Sequence, residues 1–163
     1  MILTGHYDSP LGSITLAGEG DALVGLWFDG QTLFASTLGP DAAEGWLPVF
    51  GDACRWLDIY FSGAKPDFTP RLDLRGTTFR QAVWQQLLTI PYGETISYGE
   101  LARRLGCKSS RAVGGAVGHN PISLIVPCHR VIGADGRLTG YAGGLALKSR
   151  LLEMEKVEVF SLY

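Results

Sequence analysis

Cysteine is scarce in this chain of 163 residues, and the few present exclude two kinds of site. The chain has three cysteines, Cys54, Cys107 and Cys128. Because three is an odd number, at least one thiol is free, and the chain has no disulfide framework. None of them lies at a spacing at which paired cysteines hold zinc. Histidine is equally rare, with three residues, so a four-ligand site would use nearly every candidate ligand. We therefore expect no metal and no cofactor.

Long apolar runs are also missing. No run approaches the roughly 20 residues that a bilayer span requires, and Met1 to Pro10 lack the basic start and apolar core of a secretory leader. We therefore expect a cytoplasmic protein with no membrane contact. Apolar residues make up 46% of the chain and charged residues 18%, a balance that excludes disorder and allows a buried core in one or two domains.

A strong excess of one charge is missing too, but the net charge of -2 averages two unlike halves. Residues 1–75 contain four basic and ten acidic side chains, net -6, whereas residues 76–163 contain ten basic and six acidic, net +4. The second half therefore favours a polyanionic partner, unless the asymmetry has no function. The balance changes near Arg75-Gly76-Thr77, so we predict two domains, 1–76 and 77–163.

The first half is typical of a small antiparallel sheet followed by a helix. The β-rich runs Ser13–Ala17 and Ala22–Phe28 are joined by Gly18-Glu19-Gly20-Asp21, which predicts a hairpin. Apolar residues from Val49 to Phe61 then recur at helical spacing. Cys54 lies within this helix and is expected to be a buried structural thiol.

The second half is predicted to be mainly helical. A helix begins at Thr77 or Thr78, and Ser97-Tyr98-Gly99-Glu100 has the form of a capping box that begins a second, short helix. After Gly106 a third helix starts at Ser109 or Ser110. Two short helices joined by a tight turn containing glycine indicate a helix-turn-helix. The predicted fold class is α/β (α+β), with the sheet-and-helix part first and the helical part second.

Glycine is unusually frequent in the last of these helices, where each residue costs about 1 kcal/mol relative to alanine. Either the helix packs tightly against its neighbours, or a smooth face of Ala112, Gly114 and Gly115 enters a nucleic-acid groove with Arg111 projecting from it. Long polar side chains that read bases are few here. We therefore predict shape-based binding in the minor groove of double-stranded DNA rather than sequence reading.

The clearest chemical signal is Val126-Pro127-Cys128-His129-Arg130-Val131. Cationic neighbours convert an inert thiol into a nucleophilic thiolate, so Cys128 beside His129 and Arg130 is the predicted nucleophile.

Five short motifs stand in order in the second half of the chain. They are Tyr98-Gly99-Glu100-Leu101-Ala102, Arg111-Ala112-Val113-Gly114, Asn120-Pro121, Pro127-Cys128-His129-Arg130-Val131-Ile132 and Gly140-Tyr141-Ala142-Gly143-Gly144. Together they resemble the O6-alkylguanine-DNA alkyltransferase family. The resemblance spans residues 77–155, and the first half is similar to the family's small sheet domain only in outline.

The resemblance implies a single displacement in which Cys128 takes the alkyl group from guanine O6 in DNA. Whether O4-alkylthymine is also a substrate stays open. A thioether does not hydrolyse, so each molecule would act once. The resemblance also implies that a water links the thiol to His129 and that Glu155 holds the far ring nitrogen; Glu153 is the alternative. Adjacent side chains diverge by about 100° in a helical turn, which argues against a direct bond from Cys128 to His129.

The same resemblance implies a base-binding pocket. Tyr98 would serve guanine N3, Tyr141 would line the alkyl pocket, and the Val131 carbonyl would accept from the guanine amino group. Backbone amides around Leu138 and Ala142 would face the base.

Three further residues receive supporting roles from the resemblance. Asn120 would join the recognition helix to the active-site turn through backbone bonds. Lys148 would steady a carbonyl or the tyrosine, with a solvated lysine as the alternative. Arg111 would fill the stack vacated by the flipped base, or simply contact a phosphate.

Two other function classes remain open. A lesion-binding protein would flip the base without transferring anything, and a cysteine hydrolase would turn over. The lesion-binding relatives replace the cysteine, which is present here as Cys128. A cysteine hydrolase would need an oxyanion hole, and this chain has no glycine run before Cys128 that would form one. We expect a monomer on alkylated double-stranded DNA, with clustering along DNA left open.

Overall fold

The structure is a computed structural model, which describes residues 1–31, 38–39, 41–139, 141 and 144–157. The described chain forms two compact units. Met1–Arg75 and Pro121–Ser123 make up the first, and the other residues from Gly76 onward make up the second. None of the helices in the described part is long and apolar enough to cross a membrane.

The first unit is a four-stranded sheet with one helix. Its strands are β1 (Leu3–Ser9), β2 (Gly12–Glu19), β3 (Ala22–Phe28) and β4 (Ala43–Glu44), in the order β3-β2-β1-β4. The predicted hairpin is confirmed as β2 and β3, which pair antiparallel. Two features were not predicted from sequence: β1 is a full strand, and β4 pairs with it in parallel, so the sheet is mixed.

The helix of this unit, α1 (Pro48–Phe61), matches the predicted helical spacing. Its apolar side is buried, whereas Cys54 is only half-buried, so the expected buried thiol is wrong. Burial and the nearby Asp58 still raise the pKa of that thiol, which makes it a poor nucleophile. The buried residues of α1 are Val49, Phe50, Ala53, Trp56, Leu57 and Tyr60.

Two short segments cover the outer edge of β3. The Leu23 amide donates to Arg71 at 2.8 Å, and the Leu26 amide donates to Pro121 at 2.9 Å. The chain thus returns to the first unit at Pro121–Ser123, just before the cysteine motif. Sequence reasoning gave no sign of this return. Pairing an exposed edge removes a site of non-native association.

The second unit contains α2 (Thr78–Leu87), α3 (Tyr98–Arg104), α4 (Ser110–Gly118) and α5 (Leu145–Met154). Thr77, Ser97 and Ser109 cap the first three helices through their side-chain oxygens. The predicted helix-turn-helix is confirmed as α3 and α4, with Gly106 at φ 65° in the turn between them. The capping box is half formed, because the Glu100 carboxylate accepts from Arg103 and Arg104.

Short strands link the helix-turn-helix to the cysteine motif. β5 (Ile96–Ser97) precedes α3 directly and pairs in parallel with β6 (Val131–Ile132), which follows the motif. In addition, the Trp84 indole of α2 donates to the Ala116 carbonyl of α4 at 2.9 Å. The motif and the α3–α4 pair are therefore parts of one packed unit.

Candidate active site

The cysteine motif forms a buried turn. Cys128–Arg130 make one turn of 3-10 helix, and all three side chains are buried. The Cys128 amide donates to Val126 at 2.8 Å, and the Arg130 amide donates to Pro127 at 3.0 Å. Leu124, just upstream, is buried with φ at 70°, a conformation that tertiary packing must hold in place. The apolar run before the cysteine is thus a tightly packed loop.

His129 and Glu155 meet at the centre of the site. Nε2 of His129 lies 2.6 Å from Oε2 of Glu155, and both side chains are fully buried. Glu153, the other candidate, is exposed on α5, and its carboxylate lies 3.4 Å from the Ser149 hydroxyl. Of the two glutamates, the structure therefore brings only Glu155 to His129.

The charge states follow from these contacts. Burial alone would raise the pKa of Glu155, but hydrogen bonds and charges from His129 and Arg130 lower it to about 2. Burial lowers the pKa of His129, opposed by its bond to Glu155. At neutral pH the pair is therefore a carboxylate beside a neutral imidazole. Because a carboxylate only accepts, Nε2 carries the proton and Nδ1 carries the lone pair.

The Cys128 thiol is not activated by the means that its sequence neighbours suggest. Burial raises its pKa, partly offset by a hydrogen bond from the Asn120 side chain and by the charge of Lys148. Arg130 is not among the groups that lower the pKa of Cys128, and its guanidinium is bonded to Glu155 instead. The sequence predicted a thiolate at Cys128, but the raised pKa makes it a protonated thiol in the resting protein. The thiol therefore needs a base that takes its proton at the time of reaction.

Asn120 connects the end of α4 to the cysteine turn. Its Nδ2 donates to the Val126 carbonyl at 2.8 Å, and its side chain also hydrogen-bonds the Cys128 sulfur. The side chain therefore contacts the nucleophile as well as the backbone, and the resemblance had implied only the backbone contact.

Lys148 is fully buried, so the solvated alternative is wrong. Its Nζ donates to the carbonyls of Val131 at 2.6 Å and Thr139 at 2.9 Å. Burial lowers its pKa to about 8, opposed by Cys128. The Tyr98 hydroxyl donates to the same Thr139 carbonyl at 3.1 Å, and burial raises the pKa of Tyr98 to about 12. The Thr139 carbonyl thus joins α3 to α5.

The remaining predicted pocket residues are placed as follows. Leu138 and Val131 are buried, and the Val131 carbonyl accepts a bond from Lys148. The Tyr141 hydroxyl is enclosed and meets no hydrogen-bond partner among the described residues. Burial, Cys128 and Glu155 raise its pKa well above the usual value. Ala142 lies outside the described residues.

The outer face of α4 is small and exposed. Arg111, Ala112 and Gly115 are exposed, and Gly114 is half-buried against the Tyr98 ring. An open depression of about 400 Å³ lies beside this face. It is lined by Tyr98, Ser110, Arg111, Gly114 and Thr139.

Arg130 and the backbone of the loop after α2 are the site groups that sequence reasoning missed. Arg130 donates from Nε to Glu155 at 2.8 Å and from Nη1 to the Ile90 carbonyl at 2.7 Å, and the Gly93 amide donates to Glu155 at 3.0 Å. In the sequence, Arg130 is interpreted only as a cationic neighbour that activates the Cys128 thiol. The Ile90 and Gly93 contacts use backbone atoms, which carry no signal in a sequence.

Within the described ranges, no three His, Cys, Asp or Glu side chains come together in a way that could hold a metal ion.

Comparison with known proteins places this geometry in a family. Residues 78–157 match the model described as 6-O-methylguanine DNA methyltransferase, DNA binding domain, and residues 2–74 match its ribonuclease-like domain. A Mycobacterium tuberculosis protein named methylated-DNA–protein-cysteine methyltransferase is 52% identical, covering 93% of this chain and 92% of its own. The Mycobacterium leprae protein of that name is 51% identical, covering 99% and 96%.

The fold agrees with these matches. The crystal structure of Mycobacterium tuberculosis OGT in complex with DNA is 51% identical with a TM-score of 0.85, covering 94% of this chain and 92% of that one. A Methanococcus jannaschii O6-methylguanine DNA methyltransferase is 26% identical with a TM-score of 0.66, covering 98% and 97%. Both halves of the sequence and the architecture therefore agree, and the chain belongs to the 6-O-methylguanine DNA methyltransferase family.

Proposed function

We propose that this chain repairs DNA directly, by moving the alkyl group from guanine O6 to the sulfur of Cys128. The sulfur–carbon bond forms as the carbon–oxygen bond breaks, and the electron pair of the broken bond goes to guanine. The thiol proton leaves through His129, and the restored guanine ends protonated at N1. The observation that carries this proposal is a buried cysteine beside a histidine held by an ionised glutamate, in a member of this family.

His129 supplies the base that the buried thiol lacks. Its Nε2–H is held by Glu155, so Nδ1 is the atom that accepts the proton, and we infer that a water carries the proton from Cys128. As Nδ1 gains the proton, the Glu155 carboxylate stabilises the imidazolium. Because the product is a thioether, transfer is irreversible and each molecule acts once.

Intact mass measurement tests the function directly. The protein is incubated with excess duplex DNA that contains one O6-methylguanine. Its intact mass is then measured, and peptide mapping locates any added group. We expect a gain of one methyl group per chain, confined to Cys128. Salt-sensitive binding to the lesion with no gain in mass would instead make this a lesion-binding protein, and repeated turnover of an ester or amide would make it a hydrolase.

The pocket residues receive their roles from the same proposal. On base binding, the Tyr98 hydroxyl turns from the Thr139 carbonyl and donates to guanine N3. Tyr141 lines the space for the alkyl group, and the Val131 carbonyl accepts from the guanine amino group. Backbone amides near Leu138 and Ala142 donate toward the base, where negative charge develops on the leaving oxygen. The Val131 carbonyl already accepts a bond from Lys148, which holds it in place. This supports its role as the acceptor for the guanine amino group.

The glycines of α4 support binding in the minor groove. A Cβ added at Gly115 or Gly118 would meet nothing within 4 Å, and one at Gly114 would make only an ordinary contact with Tyr98. Packing inside the unit therefore does not require these glycines, so tight packing does not explain their cost. A groove that the helix enters closely would explain them. Arg111 lies at the start of this face, where we propose that it fills the stack left by the flipped base.

Replacing Gly115 and Gly118 by alanine is expected to stabilise the protein and weaken DNA binding. Gly115 lies inside α4, where alanine is favoured over glycine by about 1 kcal/mol, and Gly118 is the last residue of the helix, where the gain is smaller. The two added methyl groups, in contrast, obstruct the groove contact. Urea unfolding measures the first effect, and fluorescence anisotropy with duplex DNA measures the second. Gly51→Ala in α1 is the matched control, since its Cβ would make only an ordinary contact with Trp46 at 3.7 Å. Unchanged DNA affinity in the double variant would exclude this face as the groove contact.

We further infer that the two domains are 1–76 and 77–163, and the family ranges 2–74 and 78–157 support this division. The protein acts as a monomer on alkylated double-stranded DNA, in the cytoplasm and at the nucleoid. The net charge of the second half supports DNA as its partner.

A further inference from the structure

Arg130 is buried, with 7% of its surface exposed, which is unusual for an arginine. Its guanidinium is bonded in two directions, to the Glu155 carboxylate at 2.8 Å and to the Ile90 carbonyl at 2.7 Å. The ring of Tyr92 covers it, with the ring centroid 5.7 Å from Cζ. These contacts fix the cation between the loop after α2 and the end of α5.

The two oxygens of Glu155 have separate partners. Oε1 accepts from Arg130 Nε and from the Gly93 amide, and Oε2 accepts from His129 Nε2. The carboxylate cannot turn without losing the two bonds at Oε1. Arg130 therefore sets the direction in which Oε2 faces the imidazole, and through it the orientation of the ring.

We propose that Arg130 is a positioning residue for alkyl transfer, which aims the Glu155 carboxylate at His129 and keeps the His129–Glu155 pair free of an extra proton. This inference rests on the proposed function, since it assigns Arg130 a part in the proton transfer from Cys128. Arg130 acts through Glu155 and does not touch the substrate.

The charge balance gives the second part of this role its physical basis. With Arg130 present, the Glu155 carboxylate is compensated and His129 stays neutral. The charge of Arg130 also lowers the pKa of His129, as burial does. Without the guanidinium, the pair would hold an uncompensated buried negative charge and would take up a proton on one member or the other. A pair that already holds that proton accepts the thiol proton poorly.

Other groups also act on the pair among the described residues. The charge of Lys148 lowers the pKa of His129 in the same direction as that of Arg130, but Lys148 donates to the carbonyls of Val131 and Thr139, whereas Arg130 bonds the Glu155 carboxylate itself. Burial raises the pKa of Tyr92 and Tyr141, and the charge of Glu155 adds to it, so both phenols stay protonated at neutral pH.

The test is the pH dependence of single-turnover methyl transfer in wild type, Arg130→Met and Arg130→Lys. In Arg130→Met we expect the acidic limb of the profile to move up by about one pH unit or more, so that raising the pH restores part of the lost rate. Arg130→Lys keeps the positive charge but cannot bond both the Glu155 carboxylate and the Ile90 carbonyl. The acidic limb of its pH profile should therefore stay near the wild-type pH, while the rate of transfer is lower. Arg71→Met removes an exposed arginine paired with Asp21 and should match wild type throughout.

The outcomes separate the two proposals. If wild type transfers no methyl group, the proposed function fails. If wild type transfers but Arg130→Met loses rate equally at every pH, Arg130 is only structural and the inference is overturned. Should Arg130→Met not fold, nitrogen NMR of the His129 ring in wild type and Arg130→Lys decides the matter. A single Nε2–H tautomer in wild type that becomes a mixture of tautomers in Arg130→Lys supports the inference, and the same single tautomer in both proteins overturns it.

Discussion

Replacing Cys128 by serine is expected to abolish alkyl transfer while leaving the damaged DNA bound. Serine keeps the size of the side chain and can still bond the Asn120 side chain, so the turn should fold as before. A hydroxyl, however, is a far weaker nucleophile than a thiol whose proton is removed by His129. We expect transfer at least about a thousandfold slower, as for the loss of other enzymatic nucleophiles. Intact mass after incubation with methylated duplex DNA measures the change.

The chain supplies its own controls for this substitution. Cys54 and Cys107 are half-buried, and the structure places neither of them among the groups that contact His129, Glu155 or Lys148 in the described residues. Cys54→Ser and Cys107→Ser should therefore accept one methyl group at the wild-type rate. A methyl group found on Cys128→Ser protein at either remaining cysteine would show that the acceptor has been assigned to the wrong residue.

Replacing Glu155 by glutamine is expected to cost both stability and rate. A glutamine has one acceptor oxygen, so it cannot serve His129 and Arg130 together, and the guanidinium stays buried without its counter-charge. Breaking a buried ion pair in this way costs about 3–5 kcal/mol. Without a carboxylate to stabilise the imidazolium, transfer should slow by about a hundredfold or more. Urea unfolding and single-turnover rates measure the two effects.

Glu153→Gln is the matched control, because Glu153 is exposed on α5, two residues before Glu155 at the end of that helix. It should change stability by no more than about 0.5 kcal/mol and leave transfer unchanged. If Glu153→Gln slowed transfer and Glu155→Gln did not, the assignment of the histidine's partner would be wrong.

Acid titration gives a second signature of Glu155. Its pKa is about 2 in the folded protein against an ordinary value of 4.5, so folding favours the ionised form. The resulting stability is fully present above pH 4.5 and is lost as the pH falls toward 2. Wild type should therefore lose stability across this window by more than Glu155→Gln does. Equal losses in the two proteins would mean that the carboxylate is not held ionised.

Local structure was predictable from the sequence where short-range chemistry decides it. The β2–β3 hairpin follows from two β-rich runs around a glycine turn, and the starts of α2, α3 and α4 follow from Thr77, Ser97 and Ser109 as caps. These features depend on residues at most a few positions apart. The pairing of β4 with β1 and the return of Pro121–Ser123 to β3 depend on contacts across many residues, and no local pattern marks them.

The same division runs through the active site. By itself, the sequence determined that the chain carries a Pro-Cys-His-Arg motif, a glycine-rich helix after a capped one, and a positively charged second half, because these are properties of neighbouring residues and of composition. Only the tertiary structure decided which glutamate meets His129, that Arg130 pairs with that glutamate, and that Lys148 is buried. Protonation and charge pairing depend on distance and burial, and both are set by packing between segments that lie far apart in the chain.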